Sequence, residues 1–234
     1  MEKRITVISD THGMHYKLNP EHLIGGDLII HAGDVSNVGR REEIKMFLKW
    51  FSMLDQYKHK VFIAGNHDFF FEQYTKDIVY DVLNMYDGIV YLEDQMQIID
   101  GLKIYGSPWQ PEFHNWAFNL PRNGSQLEMM WKQIPTNLDI LVTHGPPYGI
   151  LDTVRDQPGE YLGCEKLKEA MKHIRPAVHT FGHIHDGYGE GYYEKYKTHF
   201  INASVLNERY FVINKPVSFI YDTEAKKIKE FIIP

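Results

Sequence analysis

Cysteine is almost absent: Cys164 is the only one in 234 residues. An intrachain disulfide and a zinc site built on thiolates are both excluded. Such usage suits a reducing compartment, and a cytoplasmic location is the expectation. Long hydrophobic runs are also missing. Nothing approaches the roughly 18 apolar residues of a membrane span, and Ile5 to Ile8 is too short for a signal-peptide core. There is no basic surplus either. Against 31 Asp+Glu stand 25 Lys+Arg, a net charge of −6 with histidine neutral. That sign gives no support to a general nucleic-acid or anionic-membrane binder. Repeats, low-complexity tracts and Gly/Ser linkers are lacking, so one continuous domain over residues 1–234 is expected.

What is present is an ordinary globular composition, 43% hydrophobic and 24% charged, which argues against disorder. Short β-branched runs alternate with helix-like stretches. Arg4–Ser9, Leu28–Ala32, Lys60–Ala64, Asp139–Thr143 and Ala177–Phe181 read as buried strands. Gly39–Leu54 reads as a helix, with Ile44, Phe47, Leu48 and Phe51 on one face. Gly163–Ile174 reads as a second helix and Tyr74–Tyr86 as a weaker one. Ile89–Tyr91, Gln97–Ile99 and Lys103–Tyr105 read as short strands, the last two joined by the hairpin turn signal Asp100-Gly101. Ser218–Tyr221 and Lys227–Ile233 read as a second hairpin. The pattern is α/β with extra hairpins, and it predicts two sheets rather than one doubly wound sheet. Gly106–Ser125, rich in proline and aromatics, is long for a plain connection; such loops either shape a binding site or pack down on the body.

There are 13 histidines, and their placement matters more than their number. The five buried strands each finish in a polar cluster: Asp10-Thr11-His12-Gly13, His31-Ala32-Gly33-Asp34, Gly65-Asn66-His67-Asp68, Thr143-His144-Gly145 and Gly182-His183-Ile184-His185. In open α/β sheets the carboxyl ends of the strands are where ligands bind. In extended chain, residues i and i+2 point to the same side, which would let Asp10 converge with His12 and His183 with His185. The donors are carboxylate, amide and imidazole, without thiolate. That set suits Mn, Fe, Co, Ni or Zn better than an all-oxygen Ca or Mg site. Without a cation, crowding Asp10 against Asp34 is expected to push both carboxyl pKa values up. Two divalent ions would turn the balance to roughly +1 and create a phosphate site.

In order, Asp-x-His, Gly-Asp, Gly-Asn-His-Asp, Thr-His-Gly and Gly-His-x-His resemble the calcineurin-like metallophosphoesterases. Thr143-His144-Gly145-Pro146-Pro147 and Ile201-Asn202-Ala203-Ser204 resemble, within that superfamily, the metallophosphoesterase-domain proteins, which sit near the class III cyclic-nucleotide phosphodiesterases. The resemblance implies a four-layer α/β/β/α sandwich of two mixed sheets flanked by helices, holding two divalent metal ions, with Mn the first expectation. It implies Asp10, His12, Asp34 and His185 on the first metal, and Asp34, Asn66, His144 and His183 on the second, bridged by Asp34. His67 would contact phosphate and protonate the leaving group. A hydroxide bridging the metals, its parent water lowered towards a pKa of ~7, would attack phosphorus in line. The implied substrate is a small phosphodiester or monoester, with nucleotides, cyclic ones included, among the candidates. Asp68, where related protein phosphatases carry Glu, would orient His67 or a ligand, or else cap the following helix. The alternatives are an interaction module with vestigial activity and a nuclease; the negative net charge weighs against the latter.

The remaining candidates have plainer readings. His31 and His179 read as strand residues, and His15, His22, His59, His173 and His199 as structural or surface ones. His114 is a candidate substrate contact. Arg122, Arg155 and Arg209 are candidate phosphate clamps, although exposed arginines are common. Asn202 reads as a turn residue or a site neighbour. Cys164 reads as a helix-start or core residue. Gly25-Gly26 and Gly187–Gly191 read as turns.

Overall fold

A computed structural model describes residues 1–155 and 159–232. Along the chain, β1 (Glu2–Ile8) and β2 (Gly26–His31) precede α1 (Arg41–Ser52) and β3 (Tyr57–Phe62). Then come α2 (Phe69–Gln73), α3 (Lys76–Leu83), β4 (Ile89–Tyr91), β5 (Gln95–Ile99) and β6 (Leu102–Ser107). Two short strands, β7 (Gln110–Pro111) and β8 (Asn119–Leu120), lead to α4 (Ser125–Lys132), β9 (Ile140–Thr143), α5 (Glu165–Ile174) and β10 (Val178–Phe181). The chain finishes in β11 (Gly189–Tyr193), β12 (Thr198–Asn202), β13 (Val217–Asp222) and β14 (Lys227–Ile232).

Two six-stranded sheets result, ordered β14-β13-β1-β2-β3-β4 and β11-β12-β10-β9-β6-β5. Each is mixed. The stretches β1 to β4 and β6-β9-β10-β12 are parallel, and antiparallel strands close the remaining edges. Period-two alternation builds the layers. Ile5, Val7, Leu28, Ile30, Ile140, Val142 and Val178 point into the space between the sheets. Ile8, Ile29 and Phe62 face outward, onto α1 to α3. Leu141, Phe181 and Phe200 face the other way, onto α4 and α5. The architecture is the expected α/β/β/α sandwich.

The face predicted for α1 is the buried one: Ile44, Phe47, Leu48 and Phe51 are fully enclosed. Such burial stabilises by roughly 1.5–3 kcal/mol per side chain. Asp100 and Gly101 both have positive φ, as a tight hairpin turn between β5 and β6 requires. Other readings are corrected. The helix expected over Tyr74–Tyr86 is α3, shorter at both ends: Tyr74 and Thr75 are extended, and Asn84 caps it. The Gly187–Gly191 run is not only a turn: Gly189 onward forms edge strand β11, held by pairing with β12 rather than by its own propensity. Helix α4, packed through Leu127 and Trp131, follows the aromatic stretch and has no counterpart among the helices expected from periodicity. Ile233, the last residue of the predicted C-terminal hairpin, lies outside the described residues. Among the described residues no helix is long and apolar enough to cross a membrane.

Candidate metal centre

All five polar clusters sit past the carboxyl ends of parallel strands β1, β2, β3, β9 and β10. The two sheets face each other, so strand-end residues from both meet at one rim. The convergence does not come from strand alternation, however. Asp10, His12, Asp34 and His183 all have positive φ, at 55°, 43°, 56° and 68°. These left-handed kinks, each costing of order 1–3 kcal/mol, turn the side chains inward after the strands have ended. The i, i+2 argument is thereby replaced for Asp10 with His12. Glycines allow the approach. A Cβ on Gly182 would lie 1.9 Å from Asp10 Oδ2, and one on Gly65 would lie 2.3 Å from Asp34 Oδ1.

Among the described residues, three overlapping groups each keep their donor atoms within 4.8 Å of one another: Asp10–His12–His185, Asp10–Asp34–His144 and His12–Asp34–His67. Asp34 is central. Its Oδ2 stands 3.5 Å from His12 Nε2 and 3.3 Å from His144 Nε2. Asp10 Oδ1 is 3.5 Å from His185 Nε2, and its Oδ2 accepts a 2.7 Å bond from Ser204 Oγ. Asn66 Oδ1 lies 2.9 Å from His144 Nε2. The His183 ring stands 5.0 Å from that of His144. The structure therefore brings Asp10, His12, Asp34, Asn66, His67, His144, His183 and His185 together. It leaves His114 exposed on the aromatic loop and His31 and His179 bonded to Thr11 and Thr143 outside the cluster.

Three of the imidazoles share one arrangement. His144 Nδ1 donates to Ala32 O (3.0 Å), His185 Nδ1 to Asn207 O (3.1 Å) and His67 Nδ1 to Asn37 O (2.6 Å). Tying Nδ1–H to a carbonyl fixes the ring and frees Nε2, as metal-binding histidines require. Both nitrogens of His12 are buried without a hydrogen-bond partner. A buried imidazole left so is costly unless something else takes its lone pair. That orphan, inside a set of carboxylates, an amide and imidazoles, fits a divalent cation.

The charges correct the expectation of raised carboxyl pKa values. Burial does push Asp10 and Asp34 up, but His185 beside the first and His144 beside the second outweigh it, and both sit below the usual range. Burial would lower the histidines in turn. Asp34 and Asp10 instead raise His144 and His185 to about 9. For His12 and His183 burial wins, taking them down to about 4 and about 3. The site carries its own counter-ions, and mutual repulsion of two carboxylates is the smaller effect.

Asp68 makes no side-chain cap on α2. Its carboxylate accepts from Val35 N, Ser36 N and Gly65 N at 3.1, 2.9 and 2.9 Å, and from Ser36 Oγ at 2.6 Å. It clamps the loop after β2 to the loop after β3. Burial and the nearby Asp34 raise it to about 6 against these bonds.

A cavity of about 380 Å³ opens over the centre, with Phe113, Arg122 and Tyr210 among its walls. Arg122 is committed elsewhere, to the carbonyls of Gly163 and Leu162 and the Glu165 carboxylate. Arg155 pairs with Asp186. Asn202 is structural, bonding Leu151 O and Ile184 O. Cys164 does start α5, its Sγ accepting from Leu167 N at 3.3 Å. Sequence reasoning missed Tyr210, whose ring lies 4.9 Å from that of His12, and the Trp116 indole stacked on His67. Tyr210 carries no local signal; Trp116 lies inside the aromatic stretch.

The glycine contacts give a first test. Gly182→Ala should force Asp10 out of place and lower bound metal about tenfold or more in affinity, as supporting-residue losses do. Equilibrium dialysis against Mn²⁺ measures it, and wild-type affinity would show that Asp10 tolerates the added carbon.

Comparison with known proteins gives a consistent picture. Residues 3–187 match the calcineurin-like phosphoesterase family. Metallophosphoesterase domain-containing protein 1 of Homo sapiens is 38% identical over 237 residues, covering 92% of this chain and 69% of that protein. A UPF0046 protein of Caenorhabditis elegans is 36% identical over 245 residues, covering 92% of this chain and 59% of its own length. Among solved structures, one aligns at a TM-score of 0.72 and 16% identity, covering 98% of both chains. The crystal structure of TT1561 of Thermus thermophilus aligns at 0.63 and 15% identity, again over 98% of both. At those identities the structures speak for the fold, and the sequence matches speak for the family. The chain belongs to the calcineurin-like phosphoesterase family and carries the buried His/Asp cluster of a metal-dependent phosphoesterase.

Proposed function

We propose that the chain is a dinuclear phosphohydrolase of small phosphodiesters, cyclic nucleotides among them, with phosphomonoesters as a second class. One observation carries it: the Asp34 carboxylate lies between His12 and His144, the histidines of two adjoining donor groups. Asp10, His12, Asp34 and His185 would hold the first divalent ion, and Asp34, Asn66, His144 and His183 the second. Mn²⁺ is the first choice, ahead of Fe, Zn, Ni or Co. Bound there, such ions supply Lewis acidity and activate a water.

The protein does the rest. Asp34 Oδ1 accepts the His67 backbone N–H at 2.8 Å, which ties the acid's main chain to the shared carboxylate. His67, with Nδ1 committed to Asn37 O, presents Nε2–H to the cavity as proton donor to the departing oxygen. Glu112 and Glu208 at the rim repel a polyanion, which speaks against a nuclease. A cytoplasmic setting belongs to the same proposal, supported by the single cysteine.

The test compares initial rates on bis(4-nitrophenyl) phosphate and 4-nitrophenyl phosphate, in chelator and in excess Mn²⁺. Mn-dependent turnover with the diester faster is expected. A faster monoester would reassign the substrate class. No turnover of either ester, with two ions bound per chain, would overturn the enzyme reading in favour of an interaction module.

A further inference from the structure

We propose that Trp116 is a positioning residue that holds the His67 imidazole with Nε2 aimed at the leaving-group side of the cavity. The proposal rests on the reading of His67 as proton donor. The indole of Trp116 lies face to face with that imidazole, centroids 3.9 Å apart and planes 25° from parallel. The same imidazole meets His12 in a T-shaped contact, centroids 4.5 Å apart and planes at 88°. A hydrogen bond at Nδ1 alone would let the ring pivot about the Nδ1···O axis. A flat wall on one face and a perpendicular ring beside it remove that pivot. Productive proton transfer needs orientation within about 10–20°.

The loop bearing Trp116 is itself fastened for this purpose. Ala117 N donates to Asn66 O at 3.0 Å, so the residue after the indole is bonded to the residue before the imidazole. Phe118 N donates to Glu72 Oε1 at 2.7 Å, and Gln110 Nε2 to Ala117 O at 2.7 Å. Ala117 and Phe118 are buried in the layer beneath α1 to α3, whereas Trp116 itself stays half-buried. Its other ring neighbour is Phe69, at 5.8 Å. The indole adds little to the core. Its place is explained by the imidazole it covers.

The Mn-loaded protein is compared on methyl phosphate diesters whose leaving groups run from 4-nitrophenol to unsubstituted phenol. A good leaving group departs without a proton, and a poor one needs it. Trp116→Leu should leave the nitrophenyl ester within about twofold of wild type and slow the phenyl ester roughly tenfold, a share of the 10²–10⁴ a general acid supplies. Trp116→Phe, which keeps a stacked ring, should restore most of the loss. In the metal-free protein the His67 ring protons, displaced upfield by the indole, should move downfield in Trp116→Leu. An equal loss on every ester, no loss, or unmoved ring protons would overturn the positioning role. His67→Ala separates the two readings. A steep leaving-group dependence there, with a flat one in Trp116→Leu, overturns the positioning role alone. A flat dependence in both overturns the proton-donor reading as well.

Discussion

Asp34→Asn is expected to remove most of the bound metal, from about two ions per chain to fewer than one, and to cut kcat/KM about 10³-fold, roughly 4 kcal/mol of transition-state stabilisation. The substitution is nearly isosteric. An asparagine oxygen can still accept the His67 N–H that Asp34 Oδ1 accepts at 2.8 Å. What goes is the negative charge that stands within 3.5 Å of both His12 and His144. The protein needs a neutral imidazole and an ionised carboxylate on each ion, and this carboxylate serves two. A second readout follows from linkage. Metal at 100 times its dissociation constant stabilises the native state by about 2.7 kcal/mol, which in a chain of this size raises Tm by roughly 5–10 °C. Added Mn²⁺ should raise the wild-type Tm and leave that of the variant nearly unchanged. Elemental analysis that still finds about two ions per variant chain would move the bridge to Asp10, the other carboxylate common to two donor groups.

The strands and their polar endings were legible because both are local. A β-branched run followed by Gly and His or Asp marks a buried strand leaving the sheet, and the structure puts each such ending at the same rim. The route by which the side chains converge was not legible. Positive φ at Asp10, His12 and Asp34 depends on contacts between distant loops, such as Asp10 N to Gly33 O and His12 N to Asp34 O. Nothing in a short window announces them. The same holds for the charges. Repulsion between Asp10 and Asp34 can be guessed from proximity, but the compensation by His185 and His144 needs the distances. Edge strand β11 was unreadable for a different reason. Its glycines have no propensity for strand, and partner β12 supplies the pairing that holds them. Trp116 shows the limit from another side. The aromatic stretch was visible, yet its indole meets a histidine 49 positions earlier only through the tertiary fold.

Asp68→Ala is expected to lower stability by about 4 kcal/mol, a Tm fall of roughly 10 °C. The carboxylate is fully buried and satisfies three backbone N–H groups and the Ser36 hydroxyl. Removing it leaves those donors in a space that alanine cannot fill, and each orphaned donor costs about 1–3 kcal/mol. The clamp joins the segment after Asp34 to the segment around Asn66 and His67. Loosening it should also weaken metal binding, without singling out esters with poor leaving groups. That pattern separates the clamp from an orienting role on His67. An orienting residue would leave Tm unchanged and slow the phenyl ester far more than the nitrophenyl ester. Thermal unfolding with the two-ester comparison decides between them. Asp68→Asn sharpens the result, because one amide oxygen can satisfy part of the donor set while its NH₂ faces the rest. An intermediate Tm is therefore expected, whereas a Tm equal to wild type in both variants would mean that the loops are held together by other contacts.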